Sequence, residues 1–229
     1  RDYDLVPTNT VGNNVFYVKK DTVPPVIDDL QTGDTTYQRT NVSTYNIDFR
    51  DYGIGVSTAQ YAVWPNPNQA GNQIINWTNI FAGSPVSEYA TDWAIGSSTW
   101  ALLQEWTTNY ISVRVFDGLN YSSAAVDAFY ILKDTTSPAV PGLVSPLTDS
   151  TTSQTTVTFD WSDSNDTRSG VSNYELQVAT DIGFGTINYS SAPTVSTAQL
   201  SSLNSQLYYW RVRMKDNADN YSAFTSTYT

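Results

Sequence analysis

Large apolar residues alternate with polar ones in a series of short runs along this chain. Such runs occur at 45–49, 111–115, 156–161, 174–178 and 210–214. A period of two residues places successive side chains on opposite faces of a β-strand. The segments between the runs are rich in Gly, Asn and Asp, which favour turns. The pattern predicts an all-β protein of antiparallel Greek-key sandwiches of the Ig-like kind, and it predicts no helix.

The same alternation predicts which side chains form the cores. The expected inward-facing residues are Tyr45, Ile47, Phe49, Ile111, Val113 and Val115 in the first half, and Val157, Phe159, Trp161, Tyr174, Leu176, Val178, Trp210, Val212 and Met214 in the second. Arg114, Arg211 and Arg213 fall on the intervening positions, so we expect their side chains to point outward.

Three blocks of sequence occur twice in the same order, which indicates tandem structural units. YVKKDTVPPVIDDL at 17–30 matches YILKDTTSPAVPGL at 130–143, 113 positions further on. DFRDYGIGVSTAQYAV at 48–63 parallels DWSDSNDTRSGVSNYELQV at 160–178, and YISVRVFDGLNYSS at 110–123 parallels YYWRVRMKDNADNYSA at 208–223. The repeats predict an incomplete C-terminal hairpin of a preceding repeat at 1–22, a larger sandwich at 23–136 and a smaller one at 137–229. Proline in the connecting segments predicts short, stiff linkers.

Composition narrows the possible functions. The chain has 19 Asp, only three Glu, no His and no Cys, and its net charge is −11. Without His or Cys, neither imidazole nor thiolate is present to act as a nucleophile, base or zinc ligand. No basic stripe is present to bind phosphates, and no apolar run approaches the roughly 18 residues of a membrane-spanning helix. We expect neither an enzyme nor a nucleic-acid partner, and no membrane insertion in this segment.

Residues 174–224, with YELQVATDIGFG and YYWRVRMKDNADNYSAF, resemble fibronectin type III and related bacterial Ig-like repeats. The first body, with DTVPP and SVRVFDGLNYS, resembles longer bacterial Ig-like repeats joined by Asp-Thr-Thr-Pro-Pro linkers. The resemblance implies tandem sandwiches in a secreted or cell-surface array, with roles in adhesion, spacing or polysaccharide attachment. It implies as partners the neighbouring repeats of the same protein, and a polysaccharide or another surface protein.

Three functions are compatible with these features. The first is a non-catalytic extracellular stalk or spacer, in which repetition sets the reach. The second is a carbohydrate-binding module, with Trp64, Trp77, Trp93 and Trp106 as candidate ligand-binding residues. Indole faces stack on sugar rings, although these tryptophans can equally cover the core of an enlarged sandwich. The third is a filament subunit, in which the strand at 15–20 pairs with the open edge of a neighbouring chain.

Aspartates concentrate in the predicted loops. The candidates are Asp48, Asp51, Asp160, Asp163, Asp166, Asp216 and Asp219. We expect their carboxylates to accept hydrogen bonds from backbone N–H groups within turns. Calcium (Ca2+) is the alternative, because it takes about six to eight oxygen ligands, but the spacing does not match an EF-hand loop. No other cofactor is expected, and no metal-ligating or catalytic residue is assigned.

Overall fold

A computed structural model describes residues 20–31, 35–41, 44–119 and 124–229 of the chain. Within these residues the chain forms fourteen β-strands and one short helix. The strands are β1 Val26–Asp29, β2 Tyr37–Gln38, β3 Ile47–Arg50, β4 Val56–Trp64, β5 Ile75–Val86, β6 Glu88–Tyr89, β7 Thr108–Phe116, β8 Ala125–Lys133, β9 Leu143–Ser145, β10 Val157–Trp161, β11 Val171–Ala179, β12 Ile187–Ser191, β13 Thr197–Leu200 and β14 Tyr209–Asp216. The predicted all-β class is confirmed.

The first sandwich consists of a three-stranded and a five-stranded sheet. Their strand orders are β1-β3-β6 and β2-β8-β7-β4-β5. The chain passes from one sheet to the other between β3 and β4 and again on either side of β6, as the Greek key requires. The pairs are antiparallel except for β2 and β8, which run parallel with Tyr37 opposite Leu132.

An aromatic cluster fills the centre of the first sandwich. The rings of Tyr45 and Phe129 stack with centroids 4.4 Å apart, and those of Tyr61 and Trp93 with centroids 5.3 Å apart. All the inward-facing residues predicted for this half are fully buried: Tyr45, Ile47, Phe49, Ile111, Val113 and Val115. The period-two pattern therefore identified this core correctly.

The second sandwich is smaller and has two three-stranded sheets, ordered β13-β10-β9 and β12-β11-β14. The segment after β14 lies along its free edge, where the N–H groups of Ser222 and Thr225 donate to the carbonyls of Met214 and Val212. The predicted inward-facing residues form its core, and Val157 is only partly buried at its margin. The two cores lie on either side of the linker that follows Lys133, whereas residues 1–19 of the predicted hairpin lie outside the described residues.

Helix α1, Ser97–Leu102, is a departure from the sequence prediction. It lies between β6 and β7 and places Trp100 against the first core, where that side chain is 9% exposed. A helix of fewer than two turns presents too few residues for a 3.6-residue period to emerge. Strand β5 and helix α1 enlarge the first sandwich relative to the second.

Candidate functional site

The four candidate ligand-binding tryptophans occupy three different environments. Trp93 is 6% exposed and packs within the aromatic cluster of the first core. Trp64 is also buried, and its ring meets that of Trp77 edge-on at 5.6 Å between centroids. The guanidinium of Arg114 lies 4.1 Å from the centroid of the Trp77 ring. Because indole faces must be open to stack on sugars, neither Trp93 nor Trp64 can act as a platform in this arrangement.

Trp106 is the most exposed of the four, at 45%, and it lies at the junction between the sandwiches. Its indole Nε1 donates to Thr136 Oγ1 at 2.9 Å, and the guanidinium of Arg168 lies 3.9 Å from the ring centroid. Arg168 belongs to the loop before β11 of the second sandwich. Trp106 thus connects the first sandwich to the linker and to the second sandwich. Its φ of +64° is a conformation that bulky residues rarely adopt.

Glu105 holds the start of the linker from the same side. Its carboxylate accepts hydrogen bonds from Thr135 N at 3.0 Å and Thr135 Oγ1 at 2.9 Å, and it pairs with Lys133 Nζ at 3.0 Å. Burial acts to raise the pKa of Glu105, but the hydrogen bonds from Lys133 and Thr135 outweigh it, so the pKa lies below its ordinary value. The ionised carboxylate is therefore the form that fits this junction.

Asp134 is hydrogen-bonded to both sandwiches. Its backbone N–H donates to the carbonyl of Gln38 at 3.1 Å, on β2 of the first sandwich. Its carbonyl accepts from Asn220 Nδ2 at 2.9 Å and its Oδ2 accepts from Ser169 N at 3.3 Å, both in the second. Arg39 adds a further link by donating to the carbonyl of Asp219 at 2.8 Å. The linker is thus fixed on both sides.

Two clusters of three carboxylates occupy equivalent places in the two sandwiches. The first consists of Asp21, Asp51 and Asp117, and the second of Asp134, Asp166 and Asp216; in each, one oxygen from every residue lies within 4.8 Å of the others. Each cluster combines a linker residue, a loop residue and either Asp117, which directly follows β7, or Asp216, the last residue of β14. Asp51, Asp166 and Asp216 were sequence candidates, whereas Asp21, Asp117 and Asp134 were missed. Asp48, Asp160, Asp163 and Asp219 belong to neither cluster.

The clustered carboxylates accept backbone hydrogen bonds in turns, as the sequence predicted. Asp51 accepts from Gly53 N at 2.7 Å, Asp166 from Gly170 N at 3.0 Å, and Asp216 from Asn220 N at 2.7 Å. Burial raises the pKa of Asp216 above its ordinary value, against the lowering effect of its hydrogen bonds from Asn220 and with a small contribution from the charge of Asp134. Calcium bound by the aspartate-rich loops stays the alternative that the sequence left open.

No family model and no curated protein matches this chain. Among solved structures, it is similar to the CbhA fibronectin(III)-like modules of Clostridium thermocellum, at 12% identity over 88% of this chain and 90% of that chain, with a TM-score of 0.43. It is also similar to the chicken CNTN1 FN1–FN3 domains, at 15% identity over 92% and 68% with a TM-score of 0.44, and to a segment of titin domains, at 11% identity over 90% and 64% with a TM-score of 0.49.

At these identities and TM-scores the similarities add nothing to the assignment of function. The fold class follows from the chain's own sheets: two tandem sandwiches of the Ig-like and fibronectin type III-like kind. A fold of this kind does not by itself define a function. Within the described part of the chain, no helix has both the length and the apolar character needed to cross a bilayer.

Proposed function

We propose that this chain is a non-catalytic spacer segment of an extracellular surface protein. The feature that carries the proposal is the junction, where the linker between two separate cores is bound from both sides. A flexible tether needs none of these contacts, since a polar linker without them behaves as a random coil. A spacer that sets reach requires that each sandwich hold the orientation of the next.

The junction combines several weak interactions that act together. The Trp106–Arg168 stack contributes about 0.5–1 kcal/mol at an exposed site. The hydrogen bonds at Asp134 and Glu105 add to it, and the most buried of them, from Asn220 Nδ2, involves a side chain that is 7% exposed. Because these contacts lie on different sides of the linker, they restrict both bending and twisting.

The test is a distance measurement between the far ends of the two sandwiches. The chain has no cysteine, so Tyr52→Cys and Ile182→Cys supply two unique spin-label sites at side chains that are 74% and 68% exposed. Double electron–electron resonance on the full chain should give one narrow distance distribution. Trp106→Ala should broaden it, because the stack and the bond to Thr136 are lost together.

A matched control comes from the cation–π pair within the first sandwich. Trp77→Ala removes the stack with Arg114, whose guanidinium lies 4.1 Å from that ring, and should leave the distribution unchanged. A broad distribution in the parent chain would mean a flexible tether and end the proposal. Equal broadening by the two variants would show that the stack at the junction has no special role.

The two other functions keep less support. Carbohydrate stacking on the candidate tryptophans is restricted by the burial of Trp64 and Trp93. Strand addition by residues 15–20 concerns a segment of which only Lys20 is described. Both stay predictions of the sequence.

A further inference from the structure

A ladder of cations and aromatic rings covers the outer face of β14. Arg211, Arg213 and Lys215 occupy alternate positions on this strand. The guanidinium of Arg211 lies 4.1 Å from the centroid of the Phe224 ring, and that of Arg213 lies 4.1 Å from the centroid of the Tyr221 ring. Lys215 continues the ladder, with Nζ 5.6 Å from the Tyr221 ring centroid. Cations held over ring faces in this way are positioned before any ligand arrives.

The ladder ends in a groove between the two sandwiches. One cavity, of about 440 Å³, lies between Tyr37, Gln38 and Arg39 of the first sandwich and Lys215, Asp219 and Tyr221 of the second. A second cavity, of about 340 Å³, shares Lys215 and Tyr221 with it. Its other walls carry polar groups, from Asn173, Glu175, Ser190 and Ser191. Because two residues line both, the cavities adjoin and form one groove.

The charge of this strip is opposite to that of the chain as a whole. The chain has 11 cationic and 22 acidic residues. The strip formed by the ladder and the groove holds four of the cations, Arg39, Arg211, Arg213 and Lys215. Three acids accompany them: Glu175 paired with Arg213, Asp219 paired with Lys215, and the buried Asp216, whose charge also acts on Lys215. A local excess of positive charge on an acidic surface attracts an anionic partner.

We propose that this strip binds an anionic polysaccharide. Charge complementarity accounts for the anion, and the side-chain amides and hydroxyls of the lining suit sugar rings bearing hydroxyl groups. Two adjoining cavities suit successive units of a linear polymer better than one compact solute. This binding site is separate from the candidate tryptophans, and it rests on the proposed function in that its walls come from both sandwiches.

The experiment measures binding of the full chain to polymers that differ in charge. The probes are polygalacturonate and dextran sulfate, each compared with an uncharged counterpart, methyl-esterified polygalacturonate and plain dextran. Biolayer interferometry at low salt should detect binding of at least one charged polymer, at least tenfold tighter than its uncharged counterpart. Raising the salt concentration should weaken it, because exposed charges are screened.

Variants locate the site. Arg39→Gln combined with Lys215→Gln should raise the dissociation constant about tenfold, since two charge-assisted contacts are lost. Lys20→Gln, which removes one exposed cation that lines neither cavity, is the control and should change nothing. Lys215→Gln alone, which leaves the hydrogen bond from Arg39 to the Asp219 carbonyl in place, keeps the test valid if the double variant does not fold.

Three results would overturn the proposal. They are no binding to either charged polymer, equal loss in the Lys20→Gln control, and equally tight binding of poly-L-glutamate, which would point to an acidic peptide. A spacer that binds nothing would fail here and still give a narrow distance distribution, so the two proposals fail separately.

Discussion

The two sandwiches follow one plan but use their tryptophans differently. In the first, Trp93 and Trp100 come from the added segment between β6 and β7 and enlarge a core of 17 buried residues among those described. In the second, Trp161 and Trp210 lie on the regular strands β10 and β14, in a core of eight described residues. Trp93 and Trp100 of the first sandwich therefore serve burial, whereas Trp106 in the same part of the sequence is exposed at the junction.

In the smaller sandwich, cation–π contacts on the outer face offset part of the stability that a larger core would give. Arg211 lies over two rings, with its guanidinium 4.0 Å from the centroid of Phe184 and 4.1 Å from that of Phe224. Exposed pairs of this kind are weaker than buried apolar contacts, so they offset only part of the difference in core size. We therefore expect the second sandwich to be the less stable of the two, a difference that three sets of variants can test.

The largest effect is expected from truncating a core tryptophan. Trp210→Ala should cost about 3–5 kcal/mol of unfolding free energy, because it leaves a cavity beside Phe159 in a small core. Calorimetry of the parent chain should give two transitions, with the second sandwich unfolding first. Trp210→Ala should lower only the temperature of the first transition, which belongs to the second sandwich. Trp93→Ala should lower only the temperature of the second transition, which belongs to the first sandwich. A single transition that responds equally to both variants would mean that the sandwiches unfold as one unit.

A smaller effect, with a distinctive pH dependence, is expected at the second carboxylate cluster. Asp216→Asn removes the acceptor for Asn220 Nδ2, at a cost of about 1–3 kcal/mol. Because the pKa of Asp216 is raised in the folded chain, ionisation of this group costs folding free energy as the pH rises through the folded pKa. The loss of unfolding free energy in Asp216→Asn, relative to the parent chain, should therefore be largest in acid and shrink toward neutral pH, as measured by urea unfolding.

Asp181→Asn is a control in which the loss of stability should depend on pH with the opposite sign. Backbone hydrogen bonds from Gly185 and Thr186 lower the pKa of Asp181, so its contribution is present above the ordinary carboxyl pKa and is lost in acid. The deficit of this variant should grow toward neutral pH; parallel trends in the two variants would contradict both assignments. Repeating the series with calcium chloride in place of a chelator tests the calcium alternative, since a bound ion would stabilise the parent but not Asp216→Asn.

The smallest effect is expected on the outer faces. Arg211→Lys should lower the unfolding free energy of the second sandwich by about 0.5–1 kcal/mol, because an ammonium stacks less well than a planar guanidinium. The temperature of the first transition should fall accordingly. Arg114→Lys makes the same change over Trp77 in the first sandwich and should affect only the second transition. If neither transition temperature changes, the cation–π contacts of Arg211 and Arg114 contribute nothing to stability.

The strand pattern predicted the cores because burial in a sheet follows a period of two, visible in single runs such as 210–214. The sequence could not predict the junction, because the contact between Trp106 and Arg168 depends on a left-handed backbone at Trp106 and on the relative orientation of the two sandwiches. The clusters were half predicted. Asp21 and Asp134 occupy the same place in the repeat, 113 positions apart, and this offset was the available signal. The offset alone does not show that folding brings each linker residue to the loop of the following sandwich.

The short parallel pair of β2 and β8 has a mechanical consequence. Tyr37 and Gln38 lie near the start of the first sandwich, and their partners Leu132 and Lys133 are the last residues before the linker. When the two ends of the sandwich are pulled apart, parallel strands are loaded in shear, so their hydrogen bonds must break together rather than one after another. The adjoining bond from Asp134 N to the Gln38 carbonyl is loaded in the same direction. The first sandwich should therefore resist tension through the strand pair that leads directly to its neighbour.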